Sequence, residues 1–322
     1  MRAEDESRPV VSVVVATRNR AALLQRLLAS LRRQALPADR FELIVVDDGS
    51  EDETASLLEA MRDGAGPRLQ VFSRQTRGGP AVARNQGWRA ARAPLVAFTD
   101  DDCEVAREWL QEILAAASAD GDSAIQGQTL SRPEERDAVG PFSRVLEVTN
   151  LGPHYQTCNI AYPKEWLEEL GGFDERYPLP GGEDTDLAWR ALKTGHRFVF
   201  APRAVVYHGI VDYGPVGKLR WGLHWAESMR VFADHPELRR ELLLGVFWKK
   251  PHALLALALG GVIAARWFRP ALLLALPYAR ELRGRCLGGG YSLAWMPYLA
   301  LYDCLETSAA VTGSLRHRTL VI

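Results

Sequence analysis

The chain has 322 residues, 47% hydrophobic and 25% charged, with a formal net charge of −1. That length admits one large α/β domain or one domain with a substantial appendage. The composition is ordinary for a folded soluble protein, and the charge balance gives no global sign of a nucleic-acid partner. The distribution of charge is more telling. Through Glu241 there are 30 Lys and Arg against 37 Asp and Glu, whereas from Leu242 onward nine basic residues face three acidic ones. An acidic body with a basic, apolar tail fits attachment to an anionic membrane surface, the alternative being a basic soluble subdomain. Four widely spaced cysteines (Cys103, Cys158, Cys286, Cys304) form no C-x-x-C pair, so a reducing compartment is the default. The N-terminal MRAEDESRPVV lacks an apolar signal core, and the expected location is therefore the cytoplasm.

In chain order, Val10–Ala16 is a β-branched apolar run of the kind buried in a parallel sheet. Leu23, Leu24, Leu27, Leu28 and Leu31 then recur at helical spacing. Phe41–Val46 reads as a second strand, and Ser50 with Glu53 forms a capping-box pattern for a helix over Glu51–Arg62. Leu69–Ser73, a helix around Ala81–Ala91 and the strand Leu95–Thr99 continue the alternation. These units predict a mostly parallel, Rossmann-like sheet with helices on both faces. From about Ser118 to Tyr177 the alternation loosens. Gly181–Leu192 runs from a glycine turn into an amphipathic helix, His196–Ala201 and Ala204–Tyr207 read as two short strands, and Gly217–Glu241 reads as helical. Composition places a boundary near 240, giving domains over 1–240 and 241–322.

Ligands of such sheets bind beyond the carboxyl ends of the strands. Both acidic clusters of the first hundred or so residues fall there: Asp47-Asp48 after the second strand and Asp100-Asp101-Asp102 after the fourth. Three consecutive carboxylates repel one another unless a cation or hydrogen bonds offset them. Mg²⁺ or Mn²⁺ suits one or two carboxylates plus diphosphate oxygens; a solvated acidic loop is the plainer reading. Asp47-Asp48-Gly49-Ser50 is a turn and cap, or it supplies a carboxylate to a nucleobase or ribose. Arg77-Gly78-Gly79-Pro80 with Arg84 and Asn85 lets backbone approach a ligand at a helix start, but it is not a dinucleotide fingerprint. Glu183, Asp184 and Asp186 crowd one helix start, more acids than a cap needs, where the dipole favours ionised carboxylates and a general base could stand. His208 ends a strand, either as a structural histidine or as a metal ligand.

The ordered motifs VVSVVVATRNR, FELIVVDDGSEDET, GGPAVARNQGW, PLVAFTDDDCEVAREWL, GGFDE, GGEDTDLAWRALKTGH and VVYH resemble the family 2 glycosyltransferases, over roughly residues 9–210. The resemblance implies an inverting enzyme of the GT-A fold that uses a nucleotide-diphosphate sugar, with Mg²⁺ or Mn²⁺ as cofactor. It implies that Asp48 contacts the base, Asp101 lies near the ribose, Asp102 is the metal-binding acid and His208 reaches the metal. Ala16, Thr17, Asp100 and Arg84 fall on the nucleotide-sugar side. Gly172, Phe173 and Glu183 fall on the acceptor side, and Asp184 matches the base that activates the acceptor. Composition cannot choose among the three acids. Asp186, however, lies one turn before Arg190 at ion-pair spacing, which leaves Asp184 freer to project. The chain lacks the Q-x-x-R-W motif of processive synthases, so single-sugar transfer to a hydroxyl of a lipid-linked or envelope glycan is expected. A sugar nucleotidyltransferase or a non-catalytic nucleotide-sugar-binding protein are the rivals.

The tail holds two apolar pieces, Ala253–Ala265 and Pro270–Ala279, separated by Arg266-Trp267-Phe268-Arg269. Each falls short of the ~20 residues needed to span a bilayer, so the expectation is a helical, membrane-associated region that is peripheral or re-entrant on the cytoplasmic face.

Overall fold

The computed structural model describes residues 8–62 and 66–322; the N-terminal MRAEDES, part of the stretch read for a secretion signal, lies outside them. In chain order the elements begin β1 (Val11–Thr17), α1 (Ala21–Arg32), β2 (Phe41–Asp47), α2 (Thr54–Arg62), β3 (Arg68–Ser73), α3 (Pro80–Ala90), β4 (Leu95–Thr99) and β5 (Cys103–Val105). They continue with α4 (Trp109–Asp120), β6 (Ala124–Ser131), β7 (Ser143–Arg144), β8 (Asn159–Pro163), α5 (Lys164–Glu169), α6 (Glu183–Lys193), β9 (Phe198–His208) and β10 (Val211–Asp212). The remainder is helical: α7 (Gly214–Ser228), α8 (Arg230–Asp234), α9 (Lys250–Ala264), α10 (Leu276–Gly288) and α11 (Met296–His317).

Two compact units result. One holds the residues up to Arg136 with Val145–Ile210, and the other Asp137–Arg144 with Val211–Ile322. The division expected near 240 therefore lies at 210. The reason is packing: α7 lies along α11, where Gly222 leaves room for the Tyr302 ring, and β10 pairs with β7.

The first unit is built on one sheet of order β3-β2-β1-β4-β8-β6-β9-β5. Alternation along β1 sends Val11, Val13 and Val15 into a core with Leu24, Leu27, Leu28 and Leu31 of α1 and Trp109 and Ile113 of α4. Val14 faces the other way, into a core with Trp88 of α3, Trp166 of α5 and Leu187 of α6. Helices thus cover both faces, and each fully buried aliphatic side chain contributes about 1.5–3 kcal/mol.

The sheet is mixed: four of its seven strand pairings are parallel, β6 with β9 among them, and only β8 and β5 run against the rest. β1 to β4 run parallel, but β8 is antiparallel to both β4 and β6, and β5 is antiparallel to β9. The two short strands expected before His208 are one strand, β9, with an irregularity: Ala201 pairs with Gly127, yet Val205 pairs with Gln128. The helix expected from Glu51 begins at Thr54. There Asp52 accepts the Thr54 amide at 3.0 Å, while Ser50 Oγ is engaged by the amide of Asn19, so the expected capping box does not form.

The second unit is helical around Leu255, Ala258, Tyr278, Leu282, Cys286 and Leu299. The expected helix over Gly217–Glu241 is divided among α7, α8 and a 3₁₀ turn at Pro236–Glu241. No helix among the described residues is long and apolar enough to cross a membrane.

Candidate active site

The carboxyl ends of β1, β2 and β4 carry the first cluster. Thr17 Oγ1, ending β1, donates to Asp101 Oδ2 at 2.8 Å, and Ala16 is the half-buried residue before it. Arg20, just before α1, reaches across with Nη1 at 2.9 Å from Asp101 Oδ1 and 3.0 Å from Asp102 Oδ2. Burial opposes its charge, but Asp101, Asp102 and Asp100 hold its pKa above the usual arginine value. Burial pushes the Asp101 carboxyl up to about 6, against the pull of Arg20 and with the like charge of Asp102 adding to it. The repulsion expected of three adjacent acids is thus offset by a cation the motif analysis did not assign. Arg18 and Arg20 look equivalent in T-R-N-R; only the turn into α1 decides which one points inward.

Asp48 spends both oxygens inside the protein. It accepts the Gly78 amide at 2.7 Å, the Gly79 amide at 2.8 Å and Arg74 Nε at 3.0 Å. The geometry shows it shaping the loop before α3. Gly79 has a φ of +92°, and a side chain there would meet the Pro178 carbonyl.

Arg84 of α3 is buried between two acids from distant parts of the chain. Nη2 lies 2.9 Å from Asp100 Oδ1 and Nη1 lies 2.8 Å from Glu183 Oε1. Burial works against charge on Asp100, but Arg84 overcomes it and keeps that carboxyl below the ordinary range. Phe173 lies under the Arg84 guanidinium, and its backbone is gripped from both sides by the Asn85 amide. Gly172 makes this approach possible. Its φ is +76°, and an added Cβ would stand 2.4 Å from Asn85 Oδ1. Gly172→Ala is therefore expected to lose about 2 kcal/mol or more, from backbone strain and overpacking together. Urea unfolding measures it, and a midpoint equal to wild type would show that the segment relaxes.

The three acids of α6 separate cleanly. Glu183 is held by Arg84 and by the Gly181 amide at 2.7 Å. Asp186 pairs with Arg190 at 2.9 Å, the ion pair its spacing predicts, and Arg190 also ties down the carbonyls of Leu170 and Gly172. Asp186→Asn is thus expected to cost about 1–3 kcal/mol while leaving nucleotide affinity unchanged, as thermal melts with and without nucleotide would show. Asp184 forms no ion pair among the described residues; it accepts the Thr185 amide at 2.8 Å. The helix dipole was expected to keep it ionised, and burial wins instead. Burial and the neighbouring Glu183 push its pKa up to about 7, with Arg84 opposing. It is a half-buried carboxyl that titrates near neutrality, as a general base should.

His208 arrives at the cluster through sheet register, since β9 pairs with β5 so that His208 stands opposite Cys103. His208 Nδ1 lies 2.7 Å from the Gly209 carbonyl, an acceptor, so that nitrogen carries the proton. In the neutral ring Nε2 is then a lone pair, 3.4 Å from Asp102 Oδ1. Asp102 is buried, and Oδ1 has no hydrogen-bond partner. Two acceptors face each other, an arrangement that a cation between them relieves. Oxygen and imidazole suit Mg²⁺ or Mn²⁺. The Cys103 thiol also lies close, and burial with the Asp102 charge raises its pKa well above the ordinary value. Arg132, which no motif signalled, is buried and donates to the Asp102 carbonyl at 2.8 Å, fixing the backbone of the acid.

A glycosyl transferase family 2 model matches residues 12–173, half of the chain. The chain belongs to that family. A second family model, described as the N-terminal domain of galactosyltransferase, matches residues 141–209, the stretch holding Asp184 and His208. A validoxylamine A glucosyltransferase of Streptomyces hygroscopicus subsp. jinggangensis is 32% identical over 219 residues, covering 56% of this chain and 51% of that protein. A pre-mycofactocin glycosyltransferase of Mycobacterium tuberculosis is 31% identical, covering 62% of this chain and 42% of its own length. This family 2 chain thus spans about half the length of these relatives. Among solved structures, the mannosyltransferase PcManGT of Pyrobaculum calidifontis, in complex with GDP-Man and Mn²⁺, superposes with a TM-score of 0.66 at 22% identity, over 97% of this chain and 87% of that one. That likeness shows the family 2 chain to share its fold.

Proposed function

We propose that this chain is an inverting glycosyltransferase that moves one sugar from a nucleotide-diphosphate donor to a hydroxyl of a lipid-linked or cell-envelope glycan. The observation that carries the reading is the division of labour among the acids. Asp48, Asp101, Glu183 and Asp186 are each tied to side-chain cations or loop amides of the chain itself. Among the described residues, by contrast, Asp102 Oδ1 has no hydrogen-bond partner and stands beside an imidazole lone pair, and Asp184 accepts only from Thr185 and has a pKa pushed up to about 7.

Asp102 and His208 would hold a Mg²⁺ or Mn²⁺ ion, which when bound supplies positive charge to a leaving diphosphate. Thr17, Asp101 and the loop shaped by Asp48 would line the nucleotide. Glu183, Gly172 and Phe173 would border the acceptor. Asp184 takes the proton of the acceptor hydroxyl as that oxygen bonds to the anomeric carbon. The bond to the phosphate oxygen breaks with its electron pair leaving on the nucleoside diphosphate, and attack from the opposite face inverts the configuration. The cytoplasmic side is the compartment we propose, supported by four free cysteines.

The test is incubation with nucleotide sugars, Mn²⁺ and a lipid or glycan extract. Release of nucleoside diphosphate supports transfer. Release of pyrophosphate would mean nucleotidyl transfer, and binding with no release would mean a sensor; either result overturns the proposal.

A further inference from the structure

The second unit carries a surface that the catalytic reading leaves unused. Helix α9 has 15 residues and folds back on a 3₁₀ segment at Arg269–Ala275. The approach is close: a Cβ on Gly261 would stand 2.6 Å from the Ala271 carbonyl. One end of this hairpin is pinned by polar contacts. Lys249 Nζ and His252 Nε2 lie 2.6 and 3.1 Å from the buried Glu306, and Tyr278 and Arg285 both reach Asp303. The inner face of α9 packs through Leu255 and Ala258 on α10 and α11.

The outer face and tip are covered by nothing in the unit. Trp267 is 82% exposed, Phe268 65%, Leu273 64%, Ile263 and Leu276 60% and Val262 54%. Contiguous exposed apolar surface of this kind marks an interaction site. Its charge selects the occupant. No Asp or Glu occurs between Glu241 and Glu281, while Arg266 and Arg269 flank the tip and Arg280 follows in α10; all three are exposed. A protein core would leave those guanidinium groups buried without acids, whereas lipid phosphates satisfy them while the aromatic rings enter the acyl boundary.

We propose that the hairpin formed by α9 and residues 269–276 is a monotopic seat in an anionic lipid leaflet. The helix is about 22 Å long at 1.5 Å per residue, against about 30 Å for a hydrocarbon core. The two arginines at the tip would be costly deeper in the bilayer, so the hairpin lies shallowly with Trp267 and Phe268 at the interface and Arg266 and Arg269 on headgroups. This inference does not depend on the transfer reaction.

Co-sedimentation of the full chain with phosphatidylcholine vesicles, with and without phosphatidylglycerol, tests it. Binding should require phosphatidylglycerol and weaken with salt. Trp267→Ser combined with Phe268→Ser should weaken binding by about tenfold or more, with the melting temperature and nucleotide binding unchanged because neither side chain supports the core. Arg266→Gln with Arg269→Gln should remove the preference for phosphatidylglycerol. Absence of vesicle binding by the wild-type chain, or equal binding by the aromatic variant, overturns the proposal. So does concentration-dependent dimerisation without lipid that the aromatic substitutions abolish, since a second copy would then be the occupant. Intact nucleotide binding in every variant keeps such a failure separate from any failure of the catalytic reading.

Discussion

Asp184→Asn is expected to lower turnover by about 10²–10⁴-fold while nucleotide-sugar affinity stays at the wild-type value. The asymmetry follows from position. Asp184 touches no group of the nucleotide-side cluster through a hydrogen bond; it accepts only from its own helix start. The carboxyl must be deprotonated to act as a base, and its pKa is pushed up to about 7. Wild-type turnover should therefore climb as pH rises through about 7 and level off above it.

The same shift has a consequence for stability with a definite sign. The folded state holds the Asp184 proton to about pH 7, whereas an unfolded chain releases it near 3.9. Between those values the folded state binds the extra proton, so this group's contribution falls as pH rises, and above pH 7 its burial as an anion is a net cost. Asp184→Asn removes that cost. The variant should gain melting temperature over wild type at pH 8 and gain little at pH 4. An active Asp184→Asn, or one equally stabilised at both pH values, would show that another group is the base or that the site is more solvated than its burial suggests.

How far the sequence reveals this site depends on how local each signal is. β1, β2 and β4 are legible because each keeps four apolar residues in a row (Val13–Ala16, Leu43–Val46, Leu95–Phe98) despite the buried Ser12 and Glu42, and the acids follow directly at their ends. The pairing of Asp186 with Arg190 is legible because helix geometry fixes i, i+4 neighbours. β6 and β8 are not legible, because their buried polar residues break the apolar pattern. Asn159 accepts from Trp109 Nε1 and donates to the carbonyls of Gln128 and Ala204, and Gln126 donates to the Asn159 carbonyl. Each such group is tolerable in the core only because it is bonded, and a pattern of apolar residues carries no trace of those partners. The counter-ions Arg20 and Arg132 escape notice for a related reason. They act through contacts 81 and 30 residues away, distances at which spacing has no meaning. The neutral pKa of Asp184 likewise depends on burial that only the packed unit creates.

Asp102→Asn is expected to weaken Mn²⁺ binding by about 10²-fold or more, since loss of even a supporting partner of a metal ligand typically costs 10–100-fold. The substitution keeps the shape of the side chain and leaves an oxygen for Arg20, so the fold should persist; removing one of three adjacent carboxylates also relieves repulsion. What is lost is the negative charge on the oxygen that faces His208 Nε2 at 3.4 Å. Asp101→Asn is the control. Its carboxylate is turned toward Thr17 and Arg20, so the change should cost no more than about 0.5–1.5 kcal/mol of nucleotide binding and leave Mn²⁺ affinity nearly intact. Titrating free Mn²⁺ by electron paramagnetic resonance, without nucleotide, reads the metal site directly and independently of turnover. Equal Mn²⁺ affinity in Asp102→Asn and wild type would remove Asp102 from the metal site. A larger loss in Asp101→Asn than in Asp102→Asn would move the ligand one residue back along the chain, to the side on which Arg20 already stands.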